Sequence, residues 1–162
     1  MIGVSLGVDV GNVRIGVARC DALRTLATPL ETVARDTEGN SDIARLLELI
    51  AEYQAIDVVV GLPLNLRGEK TPSTAAAEGF AAELAGALAR ESRDVTVRLV
   101  DERLSTVTAQ QQLHATGKNS KKSRGVIDQA AAVVILQHAL DSDSVRGELT
   151  GQMILPESLD EH

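Results

Sequence analysis

Apolar and polar residues alternate along the first part of the chain, with the period of two that is typical of a strand. Across Val4–Val10 one face is made of valine and leucine. The other face carries small or polar side chains: Ser5, Gly7 and Asp9. A second β-rich run covers Arg14–Cys20, and the Gly11-Asn12 pair between the two runs predicts a tight antiparallel hairpin. A third strand is predicted at Leu30–Ala34.

The pattern then changes to helices that alternate with short apolar strands. Ser41 and Asp42 are good helix caps, and they precede a helical spacing of apolar residues. Ile56–Val60 and Val95–Val100 are β-branched runs of the kind found in strands buried on both faces. Helices are predicted at about residues 42–53, 73–90, 105–115 and 124–140.

Three hairpin-connected strands followed by strand–helix alternation predict an α/β fold. We expect a five-stranded mixed sheet, antiparallel in its first three strands and parallel afterwards, with helices on its faces. Residues 1–141 form one domain in this interpretation, and residues 142–162 form a flexible acidic tail.

Composition excludes several classes of protein. No apolar stretch approaches the ~18 residues of a membrane span, and no secretory signal pattern opens the chain, so we expect a cytoplasmic protein without a membrane partner. The single cysteine, Cys20, excludes an intramolecular disulfide, and we interpret it as a buried strand residue. The three histidines lack metal-ligand spacing.

Charge is distributed unevenly along the 162 residues. The net charge is −7, but the segment from residue 141 onward holds six acids and one base, so the rest of the chain carries only −2. Residues 118–124 form a basic loop without an acid, and such a local field can attract a polyanion. Tyr53 and Phe80 are the only aromatic residues. A nucleic-acid partner would therefore be held through phosphates and shape, with little base stacking.

Acidic residues occur at three places where burial makes a charge costly. Asp9 ends the first apolar strand, and Asp101 and Glu102 directly follow the fifth. Asp128 shares one helical face with apolar residues. These neighbours are Ala131, Ala132 and Ile135.

Carboxylates that converge from separate elements are the usual ligands of Mg²⁺ or Mn²⁺, which can promote phosphodiester hydrolysis. The spacing leaves other interpretations open. Asp9 could begin a turn, Asp101 or Glu102 could cap the next helix or pair with Arg103, and Asp128 could interact with a helix dipole.

Four motifs, in this order, resemble the YqgF (RuvX-like) family over about residues 3–141. They are Asp9-Val10-Gly11-Asn12-Val13-Arg14-Ile15-Gly16-Val17-Ala18, Gly61-Leu62-Pro63-Leu64-Asn65, Asp101-Glu102-Arg103-Leu104-Ser105-Thr106 and Asp128-Gln129-Ala130-Ala131-Ala132. The resemblance implies a ribonuclease H-like fold and a metal-dependent nuclease. The implied substrate is structured nucleic acid, either the 5′ end of pre-16S rRNA or, alternatively, a four-way Holliday junction in DNA.

The resemblance also implies roles for individual residues. The catalytic acids implied are Asp9, Asp101, Glu102 and Asp128, and the metal ligands among them are Asp9, Glu102 and Asp128. The basic residues implied to contact phosphates are Arg14, Arg103, Lys121 and Lys122. Ribonuclease H-like nucleases often carry an acid at the end of the fourth strand, where this chain has Gly61. Asp101 or Glu102 must then supply that ligand.

Two other classes of function compete with the nuclease. An ATP-binding protein of the actin and sugar-kinase superfamily also places Asp-x-Gly after its first strand, but it needs a second domain for which 162 residues leave no room. A non-catalytic nucleic-acid- or ribosome-associated factor fits the acidic tail and the scarce aromatics. Two paired cuts in a junction favour a symmetric homodimer, whereas cutting a precursor RNA requires only a monomer.

Overall fold

A mixed β-sheet runs through the protein in a computed structural model. The structure describes residues 2–101 and 120–154, and for residues 120–128 it describes only the helical backbone. The strands, in chain order, are β1 (Val4–Val10), β2 (Arg14–Cys20), β3 (Ala27–Ala34), β4 (Ala55–Leu62), β5 (Thr96–Asp101) and β6 (Gln152–Met153). Their order across the sheet is β3-β2-β1-β4-β5-β6. β1 and β4 are parallel, as are β4 and β5, and the remaining pairs are antiparallel.

The sheet confirms the α/β prediction and corrects the strand count from five to six. The additional strand, β6, is only two residues long and pairs with Arg98 and Leu99 of β5. A pattern of two residues is too short for alternation to reveal it. At the opposite edge, β3 contains Pro29, where the pairing with β2 shifts register between Val17 and Ala18.

Three helices cover the sheet in the described part of the chain: α1 (Ser41–Tyr53), α2 (Pro72–Arg90) and α3 (Ser120–Arg146). The predicted helix at 105–115 lies outside the described residues. α2 begins as its sequence indicates, because Thr71 and Thr74 exchange backbone-to-side-chain hydrogen bonds of 2.9 and 3.4 Å. No helix in the described part of the chain is long and apolar enough to span a membrane.

The predicted cap of α1 is wrong. The N-cap residue is Asn40, in the left-handed region at φ 58°, and its side chain makes no capping hydrogen bond. The preceding turn is held instead by Asp36, whose carboxylate accepts hydrogen bonds from the hydroxyl and the N–H of Ser41. These bonds lower the pKa of Asp36 to about 2. Asp42 is buried and pairs with Arg35 at 2.8 Å.

The two faces of the sheet pack against different helices. On one face the bulky residues of β1, β2, β4 and β5 form the larger core with α1 and α2. On the other face the residues are smaller, and α3 covers them with its own apolar stripe. The stripe is formed by Ala132, Ile135, Leu136, Ala139 and Leu140. Ala131, Ala132 and Ile135, which the sequence places on one helical face, are all buried.

Gly7 of β1 sets the close approach of α3 to the sheet. A Cβ atom at this position would lie 2.6 Å from Cβ of Leu136 and 2.8 Å from the carbonyl oxygen of Ala132. Both distances are shorter than van der Waals contact, and one of the two atoms belongs to the helix backbone. The alternation that leaves a hydrogen at position 7 therefore allows the helix to lie directly on β1.

A buried cluster of charges fixes the other end of α3. Arg98 is fully buried and donates to Asp57 at 2.9 Å and to Asp143 of α3 at 2.7 Å. Arg24 adds a second guanidinium 3.4 Å from Asp143 and donates to Ser5 at 2.7 Å. Two cations and two anions share this interior, so the desolvation cost of each charge is offset by a partner.

The segment after residue 141 contacts the body of the protein as far as it is described. α3 continues to Arg146, beyond its predicted end at Leu140. Thr150 then donates from its N–H to Asp143 at 2.8 Å and accepts from Arg98 at its carbonyl oxygen. The tail's flexibility stays a prediction, and residues 155–162 lie outside the described residues.

We expect Arg98→Met to lower the free energy of unfolding by about 3–5 kcal/mol, because two buried carboxylates would lose their partner. Equilibrium urea unfolding measures this loss. Arg45→Met is the matched control, since Arg45 pairs with Glu31 and Glu48 on the surface and its loss should have little effect. Equal effects of the two substitutions would contradict a stabilising role for the buried cluster.

The same cluster predicts a pH dependence. Burial raises the pKa of Asp143, but hydrogen bonds from Arg98 and Thr150 outweigh it and leave the pKa below its ordinary value. The stabilisation is therefore complete above the unfolded pKa of about 3.9 and is lost as the pH falls through the lower folded value. The free energy of unfolding of Arg98→Met should change less with pH in that acidic range than the free energy of unfolding of the wild type.

Candidate functional site

Asp9 lies near the carboxyl end of β1, half-buried, on the sheet face that α3 covers. It pairs with Gly16 of β2, and the hairpin follows directly after Val10. In that hairpin the N–H of Gly11 donates to the carbonyl oxygen of Arg14 at 2.9 Å. A Cβ atom on Gly11 would lie 2.6 Å from that oxygen, so glycine is required by the close approach.

The hairpin differs in detail from the prediction. The two residues at its tip are Asn12 and Val13, because Gly11 and Arg14 close the turn. Neither tip residue has a positive φ, so the glycine does not serve as a left-handed turn residue. Arg14 is half-buried at the start of β2.

The N-terminal part of α3 lies over the Asp9 end of β1. Asp143 is linked to Ser5 through Arg24, and Leu136 meets Gly7, so the helix runs antiparallel to the strand. Position 128 is four residues before Ala132 and eight before Leu136, so it lies about 6–12 Å of helix rise beyond the contact with Gly7, and Asp9 lies about 6.7 Å beyond Gly7 along β1. The backbone of α3 at position 128 therefore lies near the level of Asp9.

A hydrogen bond from Gln129 supports this placement. Its amide donates to the hydroxyl of Thr32 at 2.8 Å. Thr32 of β3 pairs with Gly16, and Gly16 pairs with Asp9. Gln129 is thus bonded to a strand residue that lies level with Asp9 across the sheet.

Asp101 takes a different position. It is the last residue of β5, is exposed, and pairs with Leu62 of β4. Within β5 it alternates in step with Val97 and Leu99, whose side chains belong to the core beneath α1 and α2. Arg98 and Val100 alternate toward α3. Asp101 is separated from Asp9 by the whole of β4, or about 10 Å at ordinary strand spacing.

Several predicted site residues lie outside this geometry. Glu102 and Arg103 are outside the described residues, and for Asp128, Lys121 and Lys122 only the helical backbone is described. The predicted basic loop at 118–124 is partly helical, because α3 begins at Ser120. Lys121 and Lys122 thus occupy the first turn of α3.

No three or more histidine, cysteine, aspartate or glutamate side chains form a metal-binding group among the described residues. Cys20 is fully buried, as predicted, and its sulfur accepts a hydrogen bond from the N–H of Ser5 at 3.2 Å. Burial raises the pKa of this thiol, which disfavours the thiolate that a nucleophile requires.

The buried charge cluster is not among the features predicted from the sequence, although a signal for it is present there. Asp57 and Arg98 each interrupt an apolar strand, as Asp9 does. β4 and β5 are parallel neighbours, so charges of opposite sign at similar register can meet. The sequence could not show that Asp143, far along the chain, completes the pair.

Solved structures with a similar fold include two of RuvC. RuvC of T. thermophilus in complex with a Holliday junction substrate matches with a TM-score of 0.55 and 22% identity, covering 94% of this chain and 99% of that one. A second Thermus thermophilus RuvC structure matches with a TM-score of 0.51 and 20% identity, covering 93% and 99%. At this identity the likeness establishes the fold, which is ribonuclease H-like.

Sequence relatives are much more similar. A protein of Clavibacter sepedonicus called "Putative pre-16S rRNA nuclease" is 51% identical over 94% of this chain and 92% of its own length. A protein of Streptomyces coelicolor with the same name is 54% identical over 93% and 87%. The family model described as "RuvX: Holliday junction resolvase" matches residues 3–142. The chain belongs to the RuvX family, the one that its four motifs resemble.

We expect Gly7→Ala to displace α3 from β1, because the added methyl group has no room against Leu136 and Ala132. The substitution should lower the free energy of unfolding by about 1–3 kcal/mol and move the N-terminal part of α3 relative to Asp9. Urea unfolding and hydrogen exchange in α3 measure the two effects.

Gly79→Ala in α2 is the matched control. No atom lies within 4 Å of the added Cβ, and alanine is a better helix former by about 0.5–1 kcal/mol. This variant should be as stable as the wild type or more stable. A Gly7→Ala protein that behaved in the same way would contradict the close packing of α3 on β1.

Proposed function

We propose that this chain is a metal-dependent endonuclease that processes the 5′ end of pre-16S rRNA. The observation that carries the proposal is the placement of Asp9, half-buried at the end of β1, beneath the turn of α3 that includes position 128. The names of relatives at 51% and 54% identity support the RNA substrate. A cytoplasmic location follows from such a substrate.

The donor set suits a hard divalent cation. Asp9, Glu102 and Asp128 would hold Mg²⁺ or Mn²⁺ through carboxylate oxygens, which these ions prefer. The bound ion would supply activation of water and charge stabilisation in phosphodiester hydrolysis. Asp9 fits this role because it is a strand-end acid on the face that α3 approaches closely, and its neighbour across the strand pair, Gly16, has no side chain.

Strand alternation favours Glu102 over Asp101 as the ligand from the fifth strand. Asp101 is in step with Leu99, toward α1 and α2, whereas Arg98 and Val100 alternate toward α3; by the same alternation the next position in the sequence would belong to the α3 face. Asp9 belongs to the α3 face. In this proposal Asp101 does not hold the metal ion itself. It contributes to catalysis as the neighbour of the ligand Glu102.

Basic residues around this edge would bind the phosphates of the substrate. Arg14 follows the hairpin beside Asp9, and Lys121 and Lys122 lie in the first turn of α3. Helix N-termini attract phosphate through their free N–H groups and the helix dipole. Arg103, next to Glu102 in the chain, would complete the set.

Cleavage of a four-way DNA junction is the second candidate function. The description of the RuvX family and the likeness of the fold to RuvC favour it. A resolvase makes paired cuts and would act as a symmetric homodimer, whereas a precursor RNA can be cut by a monomer. The substrate preference of the purified protein distinguishes the two candidates.

Losing a residue that hydrogen-bonds a metal ligand costs up to about 100-fold in activity, and losing a ligand itself should cost more. Asp9→Asn should therefore lower metal-dependent cleavage by more than about 100-fold. The measurement is cleavage of labelled pre-16S rRNA fragments and four-way junctions, with Mn²⁺ or with a chelator. Glu52→Gln removes an exposed acid of α1 and should leave cleavage unchanged. A wild type that leaves both substrates intact, or an equally active Asp9→Asn, would contradict the nuclease proposal.

Glu102→Gln should reduce cleavage as strongly as Asp9→Asn, because both substitutions remove a proposed metal ligand. Asp101→Asn should reduce cleavage less, because Asp101 is not a ligand in this proposal. Activity measured as a function of Mn²⁺ concentration separates the two. A ligand substitution raises the metal concentration required for half-maximal rate. The reverse ranking of the two variants would assign the ligand to Asp101.

A further inference from the structure

A tight loop with an exposed leucine at its tip projects from the sheet after β4. The loop closes where Leu64 and Lys70 form an isolated β-bridge. Inside it the side-chain oxygen of Asn65 accepts from the N–H groups of Arg67 and Glu69, both at 2.9 Å. Gly68 takes a positive φ of 80° and donates to the carbonyl oxygen of Asn65. The tip is thus held in one conformation by its own hydrogen bonds.

The side chain of Leu66 is 95% exposed at this tip. Single exposed apolar residues are common on protein surfaces, but here a second feature accompanies the exposure. The next residue, Arg67, is also exposed, and no acidic side chain in the described part of the chain pairs with it. The hairpin tip also carries an exposed apolar residue, because Val13 is 67% exposed.

Both tips lie at the sheet edge where Asp9 is found. β1 and β4 are parallel neighbours, so the turns that follow them leave the sheet on the same side. The other large apolar residues exposed in the N-terminal part of the described chain lie at the opposite edge, at positions such as Leu23 after β2. An exposed apolar residue, Val13 or Leu66, therefore projects from each of the two turns beside the proposed cleavage site, and the exposed Arg67 accompanies Leu66.

We propose that Leu66 inserts as a wedge between the last base pairs at a branch or strand end of the substrate, while Arg67 contacts the adjoining phosphate. This inference rests on the proposed nuclease function and adds the means by which the site selects structured nucleic acid. Aliphatic side chains act as wedges by unstacking a base step and bending the duplex. A chain with two aromatic residues, Tyr53 and Phe80, has few stacking alternatives.

The test uses 2-aminopurine, a base analogue whose fluorescence rises on unstacking, in the last base pair before the branch. Four-way DNA junctions and pre-16S rRNA fragments carry the probe, and all proteins carry Asp9→Asn so that no cleavage occurs. Binding should raise the fluorescence. Adding Leu66→Ala should remove at least half of that rise and weaken binding about tenfold, the equivalent of one buried leucine.

Leu23→Ala is the matched control, because Leu23 is 70% exposed at the opposite edge of the sheet. It should keep the full signal, and Leu66→Met should keep most of it. Equal fluorescence and affinity for Leu66→Ala and Leu23→Ala would overturn the wedge while leaving the nuclease proposal intact. Absence of binding to either nucleic acid, together with absence of cleavage by the chain with Asp9 restored, would overturn both.

Discussion

The fold depends on how α3 is attached to the sheet, and the buried pairing of Arg98 with Asp57 and Asp143 is central to that attachment. Asp57 and Arg98 come from the neighbouring central strands β4 and β5, and Asp143 comes from the helix. A charge cluster of this kind is costly to break, because moving any of its three elements would leave a buried charge without its partner. The position of the helix relative to β1 is thereby restricted along its length.

The other end of the same helix carries the proposed chemistry. Between the two ends, Gly7 allows direct contact with Leu136 and Ala132, and Gln129 reaches Thr32. The anchored end and the functional end are thus opposite ends of one rigid element. This arrangement explains how acids far apart in the chain, at positions 9 and 128, come to lie at the same level of the sheet. The anchoring residues contribute to the site without contacting it.

Much of the fold could be predicted from the sequence because its signals are local. Alternation located β1 and β2 with the bounds that the structure shows, and Thr71 followed by Pro72 marks the start of α2. The errors occur where tertiary contacts decide. The turn before α1 depends on the Asp36 carboxylate, and β6 exists only because it pairs with Arg98 and Leu99.

The candidate site shows the same division between local and long-range information. A charge in an apolar strand identifies Asp9 as unusual, and helical spacing predicts that Asp128 shares a face with Ala132 and Ile135, which are buried. The face of the sheet on which Asp101 lies follows from strand alternation and from which helix covers each face. That second fact is tertiary, so the sequence left Asp101 and Glu102 as equal candidates.

The edges of the sheet have a consequence for self-association. At the β3 edge Pro29 lacks an N–H group and lies at a register shift, and at the other edge β6 offers only two residues. Both devices discourage a further strand from pairing. Two copies of this chain would therefore meet through helices, loops or side chains. Both edges of the sheet disfavour a continuous twelve-stranded sheet across a dimer.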